Sequence, residues 1–169
     1  MFDFGIEGYR PHWLSGPRAV GKAHGARLRA LAGRTLTRLW VVWDAADDEW
    51  FPDCPVLLDF DGEQVEVNHW KLDQLSLTWN SIEPRRPIQW PGFSLRWRDD
   101  AVPEAAAPLL GSPLRDVQLL EWTGHDAARG TVEVGFVFAR GRITVHNALD
   151  ENGLSFDPPD PRSRPYPVG

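Results

Sequence analysis

Apolar and polar residues alternate with a period of two along most of the chain, which is the pattern of half-buried β-strands. The predicted strands, in chain order, cover residues 36–42, 56–60, 65–67, 75–79, 93–97, 114–120, 131–138, 142–145 and 154–156. Residues 18–32 instead carry a helical apolar stripe. Gly21 and Gly25 weaken its first turns, so the firm part of this helix is predicted at residues 25–32. A second, short helix is predicted at residues 104–110.

Turn residues divide these elements. Asp61-Gly62 lies between two strands and predicts a tight hairpin, since both residues accept the positive φ angles of a type I′ turn. Residues 80–92 read as a proline-broken connection. Residues 1–16 show neither period and are expected to form an arm whose aromatic side chains dock on the body. Residues 157–169 contain five prolines and are predicted to be extended, without ladder hydrogen bonds.

The two halves of the chain repeat the same pattern at an offset of 78 residues, which aligns Gly33 with Gly111 and Leu36 with Leu114. The offset persists across a long loop in each half, residues 43–55 and 121–133. A Leu-Asp pair followed by Leu-Ser then recurs in residues 72–77 and 149–156, with two residues inserted in the second copy. This agreement indicates an internal duplication.

The repeat predicts the architecture. One unit of three or four strands is marginally stable alone, whereas two units can share a core by packing their apolar faces together. We therefore expect one α+β, mostly β domain over residues 1–169. Its two similar units (helix, strand, loop, hairpin, strand) span about residues 25–98 and 104–156. They should pack as a pseudo-twofold sandwich or a partly closed barrel, with residues 157–169 as a Pro-rich extended tail.

Composition bounds the compartment and the partners. Cys54 is the only cysteine, and the first residues lack the basic and apolar regions of a secretory signal, so a cytoplasmic protein is expected. The longest apolar run is far shorter than a membrane span, which argues against a membrane protein. The net charge of −6 argues against nucleic acid as a partner.

The charge is unevenly distributed, and this points to a protein partner. Residues 43–84 hold eleven acidic residues against one basic residue, whereas residues 1–42 are net basic. An acidic surface attracts a basic protein. The predicted partner-binding residues are Asp47, Asp48, Glu49, Trp50, Phe51, Trp70 and Trp90. For Trp50 and Phe51 two alternatives are open: an exposed interface centre, or a lid folded back over the core with only the acids in water.

Chemical motifs are weak. The sequence has no Gly-rich phosphate loop, nucleophile elbow, zinc-protease motif or paired Cys-x-x-Cys, and the acids after Asp44 lack the spacing of a calcium loop. A nucleophilic Cys54 would need a base, for which His69 is the local candidate, while the alternative is a buried structural cysteine. No cofactor is predicted.

Polar segments duplicated after each hairpin offer candidate catalytic or metal-binding residues: His69, Asp73, His146, Asp150 and Glu151. Histidines beside carboxylates suit acid–base work or a divalent metal if a twofold axis brings them together. The alternative is that Asp73 and Asp150 cap turns and the histidines are polar strand ends.

The run of residues 56–79, with its echo in residues 149–156, resembles small β-rich proteins of actinobacteria. Some similar small, acidic, Trp-rich proteins serve as immunity or partner proteins in toxin systems. The resemblance implies no particular site residue. We therefore expect a non-enzymatic protein-interaction domain, of immunity or partner type, that binds a basic protein. The alternatives are a metal-binding protein or hydrolase that uses the duplicated His/Asp segments, and a small-ligand or carbohydrate-binding module.

Overall fold

Residues 2–168 are described by the structure, a computed structural model, and they form one α-helix and twelve β-strands. The elements are β1 (Leu14–Ser15), α1 (Pro17–Arg29), β2 (Leu36–Asp44), β3 (Glu49–Trp50), β4 (Val56–Phe60), β5 (Glu63–Trp70), β6 (Gln74–Trp79), β7 (Leu95–Arg98), a 3₁₀ turn (Glu104–Ala106), β8 (Asp116–Trp122), β9 (Val132–Phe138), β10 (Gly141–Asn147), β11 (Asn152–Ser155) and β12 (Ser163–Tyr166).

The strands form two antiparallel sheets that pack face to face without closing into a barrel. The first sheet has the order β1-β6-β5-β4-β2, and β3 and β7 pair with the later part of β2. The second has the order β11-β10-β9-β8-β12. The α+β, mostly β class is confirmed, and of the two predicted arrangements the sandwich is the one formed.

Equivalent strands of the two sheets pair in the same register. Val56 pairs with Val67 in the first sheet, and Val134 pairs with Val145 in the second, as the offset of 78 requires. Both predicted hairpins are present, and Asp61 and Gly62 have the positive φ angles of the predicted turn, 56° and 93°. Two equivalent backbone hydrogen bonds also connect the halves near the start of each sheet. Gly33 N–H donates to the Leu114 carbonyl oxygen and Gly111 N–H donates to the Leu36 carbonyl oxygen, each at 2.8 Å.

The final hairpins show that the predicted two-residue insertion is wrong. Val67 pairs with Leu77 and Val145 with Leu154, so the offset becomes 77 and the second hairpin is one residue shorter. It closes through Leu149 and Asp150, whose φ angles are 61° and 81°. A two-residue turn with two positive φ angles matches the twist of the flanking strands, which explains the shorter loop.

The prediction that residues 157–169 stay outside the ladders is wrong. Strand β12 pairs with β8, and Pro165 lies opposite Leu120 within that ladder. The edge position of β12 explains this, because every second backbone N–H of an edge strand points away from its neighbour and proline can replace it. β12 is the counterpart of β7: Tyr166 pairs with Leu119, and Arg98 pairs with Val41 at the position equivalent to Leu119.

The first helix is longer than predicted, and the second is shorter. α1 begins at Pro17, where a proline fits the first helical turn, and continues through Gly21 and Gly25, both buried. A Cβ on Gly21 would be in ordinary contact with Leu119 Cδ1 of β8, at 3.7 Å, so close approach does not require glycine here. The burial of this helix face offsets the low helix propensity of the two glycines. Residues 104–110 form only the 3₁₀ turn, which the proline at position 108 and the short span limit.

The main core lies between the sheets, and its centre includes Phe60 and Phe136, whose ring centroids are 5.6 Å apart. The alternation of apolar and polar residues predicts that one face of each hairpin is buried, and its eight apolar residues are all at most 4% exposed: Leu58, Phe60, Val65, Val67, Phe136, Phe138, Ile143 and Val145. A second apolar cluster covers the outer face of the first sheet, where Phe4 and Tyr9 of the N-terminal arm and Ile82 and Ile88 of the 80–92 connection pack on it. Among the described residues, no helix has the length and apolar character needed to cross a membrane.

Candidate functional site

The predicted histidines lie in different environments and do not converge. His69 is 2% exposed, its backbone N–H donates to Asn152 Oδ1 at 2.7 Å, and its Nε2 lies 3.3 Å from the Val145 carbonyl oxygen. Burial lowers its pKa to about 3, so the ring is neutral near pH 7. His146 lies on the outer face of the second sheet, where it covers Gly153 so closely that a Cβ there would be 2.2 Å from His146 Nε2.

The predicted carboxylates divide in the same way. Asp73 is exposed on the loop between β5 and β6. Asp150 Oδ1 accepts a 2.5 Å hydrogen bond from the backbone N–H of Lys71, which makes it a turn-capping group as the structural alternative expects. Within residues 2–168, no group of three or more His, Cys, Asp or Glu side chains has the arrangement that holds a metal ion.

Asp150 and Glu151 are instead joined by Asp53, one of the eleven acidic residues between positions 43 and 84, and we name these three residues the acidic cluster. Burial raises the pKa of Asp53, and the negative charge of Asp150 raises it further. Burial also raises the pKa of Glu151, with smaller contributions from Asp53 and Asp150. Like charges held together in this way destabilise their own ionised forms, and a cation beside them would relieve the repulsion.

Four aromatic side chains, Phe2, Phe4, Trp70 and Trp90, lie against the acidic cluster and are named the aromatic pocket. They surround a cavity of about 130 Å³ that Asp53, His69 and Asp150 also line. The structure thus brings together Trp70 and Trp90, which the sequence singled out separately. Phe2 is 45% exposed, so the pocket opens to solvent.

Aromatic side chains continue from the pocket along the surface. Phe51 lies 5.1 Å from Trp90 and 4.9 Å from Phe93 between ring centroids, and Phe93 is 47% exposed. The tips of the final hairpins add two exposed leucines, Leu72 and Leu149, which neighbour Lys71 and Asp150 in sequence. This end of the sandwich therefore combines apolar surface with concentrated negative charge.

The environments of Trp50 and Phe51, which follow the acidic turn between β2 and β3, distinguish the lid from the exposed interface centre. Trp50 is half-buried against the main core and Phe51 is 8% exposed in the second cluster, as the lid alternative expects. Asp47, Asp48 and Glu49 are exposed. Asp48 Oδ1 accepts a 3.0 Å hydrogen bond from the indole Nε1–H of Trp43 in β2, and this bond fixes part of the turn. Trp50 is therefore not an exposed interface centre.

The outer face of the second sheet carries a separate polar groove of about 460 Å³. Its lining includes Glu133, Thr144, His146, Ser155, Asp157 and Asp160. The pairing of Val134 with Val145 places Glu133 opposite His146. Burial raises the pKa of Glu133 and lowers that of His146, which favours the neutral form of both side chains. Such a surface suits hydrogen bonding to a small polar ligand.

Cys54 is fully buried, and burial raises its pKa far above the ordinary value of a thiol. A thiol in this state is a structural residue and a poor nucleophile, because the thiolate is the reactive form. The structure thus favours the structural alternative for Cys54.

Two buried polar residues, Asn152 and Glu66, were not identified from the sequence. Asn152 binds both sheets, and Glu66, fully buried on β5, accepts hydrogen bonds that hold Ser81 and Ile82. The only sequence signal for Asn152 is that the corrected offset of 77 places it at the position of apolar Leu75. Glu66 alternates with Val65 and Val67 and looks like an ordinary outward-facing polar residue.

The acidic cluster and the aromatic pocket form one candidate site, and the polar groove forms the other. Comparison with protein-family models, curated protein sequences and solved structures finds no match to the chain.

Proposed function

We propose that the protein is a non-enzymatic interaction domain, of immunity or partner type, that binds a basic protein through the acidic cluster and the aromatic pocket. The observation that carries this proposal is the position of partly exposed aromatic rings directly beside Asp53 and Asp150, whose negative charges also raise the pKa of the neighbouring Glu151. In the free protein the repulsion is unfavourable. A cationic partner supplies the missing countercharge while the rings lose contact with water.

The surroundings match the anatomy of a binding surface. Interfaces combine a centre of aromatic and apolar groups with a charged rim that steers approach. Here Leu149 is 57% exposed and has a left-handed φ of 61°, two unfavourable features for a leucine that has no buried role. Residues that are costly in the free protein are found where function needs them.

The cytoplasm is the compartment that fits this proposal. Cys54 is a free thiol enclosed in the second apolar cluster, and a reducing compartment keeps such thiols free. The partner would therefore be a cytoplasmic basic protein.

A capture experiment tests the surface with matched charge changes. The double variant Asp150→Asn/Glu151→Gln removes two charges from the acidic cluster. The control Asp47→Asn/Glu49→Gln removes two charges from the exposed turn between β2 and β3, which the sequence also marked as a partner-binding region. Proteins retained from the source cell by the wild type, the variant and the control are quantified by mass spectrometry at two salt concentrations.

We expect a basic protein to bind the wild type and the control, to be lost from the variant, and to be weakened by salt. Equal retention by all three proteins would overturn the proposal. Loss from the control alone would place the interface at the acidic turn and would equally contradict the surface proposed here.

The polar groove supports a second candidate function, the binding of a small polar ligand such as a carbohydrate. The observation that favours it is the position of Glu133 and His146 opposite each other within a groove of about 460 Å³. Burial shifts the pKa of each side chain toward its neutral form. A screen of sugars by thermal shift, repeated on Glu133→Gln, tests it. Stabilisation by a sugar that is lost in the variant would support this candidate, and the absence of any stabilisation would contradict it.

A further inference from the structure

The aromatic pocket has the composition and size of a receptor for one cationic head group. We propose that it binds an organic ammonium group, and that a lysine side chain of the basic partner is its occupant. This inference rests on the proposed function, because it names the residue type that anchors the partner.

The rings of the pocket contact one another as tilted and edge-to-face pairs, and they form one continuous aromatic surface beside the cavity. Trp90 lies 5.1 Å from Phe2 and 5.8 Å from Phe4 between ring centroids, and Trp70 lies 6.1 Å from Phe2 and 6.2 Å from Phe4. The planes of these pairs cross at 46° to 77°. The face of an aromatic ring carries partial negative charge, so a cation that lies over a ring of this surface is attracted to it.

The polar part of the wall selects for positive charge. Asp53 and Asp150 both line the cavity, and the charge of Asp150 disfavours the ionised form of Asp53 when nothing positive lies between them. His69 also lines the cavity, but its pKa of about 3 keeps it uncharged, so it does not repel a cation. The wall therefore presents negative charge and aromatic faces to whatever enters.

The cavity size limits the occupant. Its volume of about 130 Å³ is roughly that of four water molecules in the liquid, enough for an ammonium group with its neighbouring carbons. A nucleotide or a folded peptide segment is too large. The chain already shows the affinity of one of these rings for ammonium, since Lys71 Nζ lies 5.3 Å from the Trp70 ring centroid.

A probe without any protein partner tests this inference separately from the proposed function. The wild type is titrated with tetramethylammonium chloride, and the indole N–H signals of Trp70 and Trp90 are followed by two-dimensional NMR. Sodium chloride at equal ionic strength and 3,3-dimethyl-1-butanol, a neutral molecule whose tert-butyl head has the shape of a trimethylammonium group, serve as controls. The indole N–H of Trp122 is the internal reference, because it lies outside the pocket and donates a 2.9 Å hydrogen bond to Asp126 Oδ1.

We expect saturable shifts at Trp70 and Trp90 with tetramethylammonium, binding of the neutral alcohol at least about tenfold weaker, and no change at Trp122. Asp53→Asn should weaken the binding of tetramethylammonium about tenfold while the remaining spectrum stays native. Phe2→Ala, at a half-exposed side chain, should also weaken it without unfolding the protein.

Absence of saturable shifts in the wild type, or equal binding of the neutral alcohol, would overturn the inference. If the pocket fails to bind the probe while the capture experiment still loses its partner in the Asp150→Asn/Glu151→Gln variant, the proposed function stands and the lysine anchor falls. If the probe binds but partner capture does not depend on the acidic cluster, the proposed function falls and the ammonium site stands.

Discussion

The side-chain oxygen of Asn152 accepts a 2.7 Å hydrogen bond from the backbone N–H of His69, which joins β11 of the second sheet to β5 of the first. The amide nitrogen of Asn152 donates to the carbonyl oxygens of Pro52 and Cys54 and to Asn68 Oδ1, at 2.8 to 3.0 Å. Asn152 is 1% exposed, so these bonds replace water for every polar atom of its side chain.

Replacing Asn152 with leucine, the residue at the equivalent position 75, should lower the free energy of unfolding by about 3–5 kcal/mol. The variant leaves the His69 N–H and the Asn68 side-chain oxygen buried without partners, and each unpaired group costs about 1–3 kcal/mol. Urea denaturation measures the loss. Gln89→Ala, at an exposed amide, is the control and should change the free energy by less than about 0.5 kcal/mol. A loss below 1 kcal/mol at Asn152 would show that water replaces these bonds.

Glu66→Gln should destabilise the protein by about 2–4 kcal/mol, since hydrogen bonds to a buried charged group are the strongest in the fold. The carboxylate accepts bonds from Gln64, from the Thr78 and Ser81 hydroxyls, and from the backbone N–H groups of Ser81 and Ile82. An amide in its place presents a donor to other donors.

Denaturation and hydrogen exchange at the Ile82 amide together measure this effect, because the exchange rate reports whether the 80–82 segment is released. Glu104→Gln, at an exposed glutamate, is the matched control and should behave as the wild type. Unchanged protection at Ile82 would contradict a clamping role for Glu66.

Features that depend on neighbouring residues of one strand could be predicted from the sequence, whereas contacts with distant segments could not. Alternation and the constant offset report which side chains of a strand face inward, and they located the hairpins and the core around Phe60 and Phe136. They do not report what covers the other face of a sheet. Glu66 is buried only because the N-terminal arm and the 80–92 connection cover the first sheet.

The candidate site shows the same limit. Phe2, Asp53, Trp70, Trp90 and Asp150 lie in five separate segments, and only the sandwich places them around one cavity. The sequence marked Trp70, Trp90 and Asp150 individually but could not join them. Local signals also misled at Gly21, where the packing of α1 outweighs helix propensity, and at Pro165, where an edge strand accepts proline.

The buried His69 should make the protein sensitive to acid. Its pKa in the folded protein, about 3, is below its ordinary value of 6.5, so the unfolded chain binds more protons between these two pH values. The stabilisation is complete above pH 6.5 and is lost as the pH falls toward 3. The lowered pKa of His146 acts in the same direction.

Measured from pH 7 to pH 4, His69→Leu should lose less stability than the wild type, by about 2–3 kcal/mol, since each unit of pKa shift corresponds to about 1.4 kcal/mol. His125→Gln, at an exposed histidine, should follow the wild-type curve. Parallel curves for the wild type and His69→Leu would show that other groups govern acid unfolding.

The acidic cluster predicts the opposite slope near the ordinary pKa of carboxyl groups. The pKa values of Asp53 and Glu151 are raised in the folded protein, so folding retains protons there and stability falls as the pH rises through the raised values.

Asp150→Asn removes one repelling charge and keeps an oxygen for the Lys71 N–H. We expect it to stabilise the protein at pH 7 and to have a smaller effect at pH 4. Denaturation at both pH values measures this, and a destabilised variant at pH 7 would contradict the repulsion.

Leu149 offers the clearest separation of stability from binding. Its φ of 61° is costly for leucine, whereas asparagine adopts the left-handed region more readily, so Leu149→Asn should raise the free energy of unfolding by about 1 kcal/mol. Leu72 lies at the tip of the first hairpin and is similarly exposed, at 49%, but is not among the residues with positive φ. Leu72→Asn is therefore the matched control, and no gain is expected from it.

Under the proposed function both variants weaken capture of the basic partner, since both remove apolar surface beside the acidic cluster. A gain in stability at position 149 alone, together with weaker capture at both positions, would show that the leucine is kept for contact with the partner at the expense of the fold. No gain in stability at position 149 would mean that the turn holds leucine without strain, and the argument from Leu149 to a binding surface would then fail.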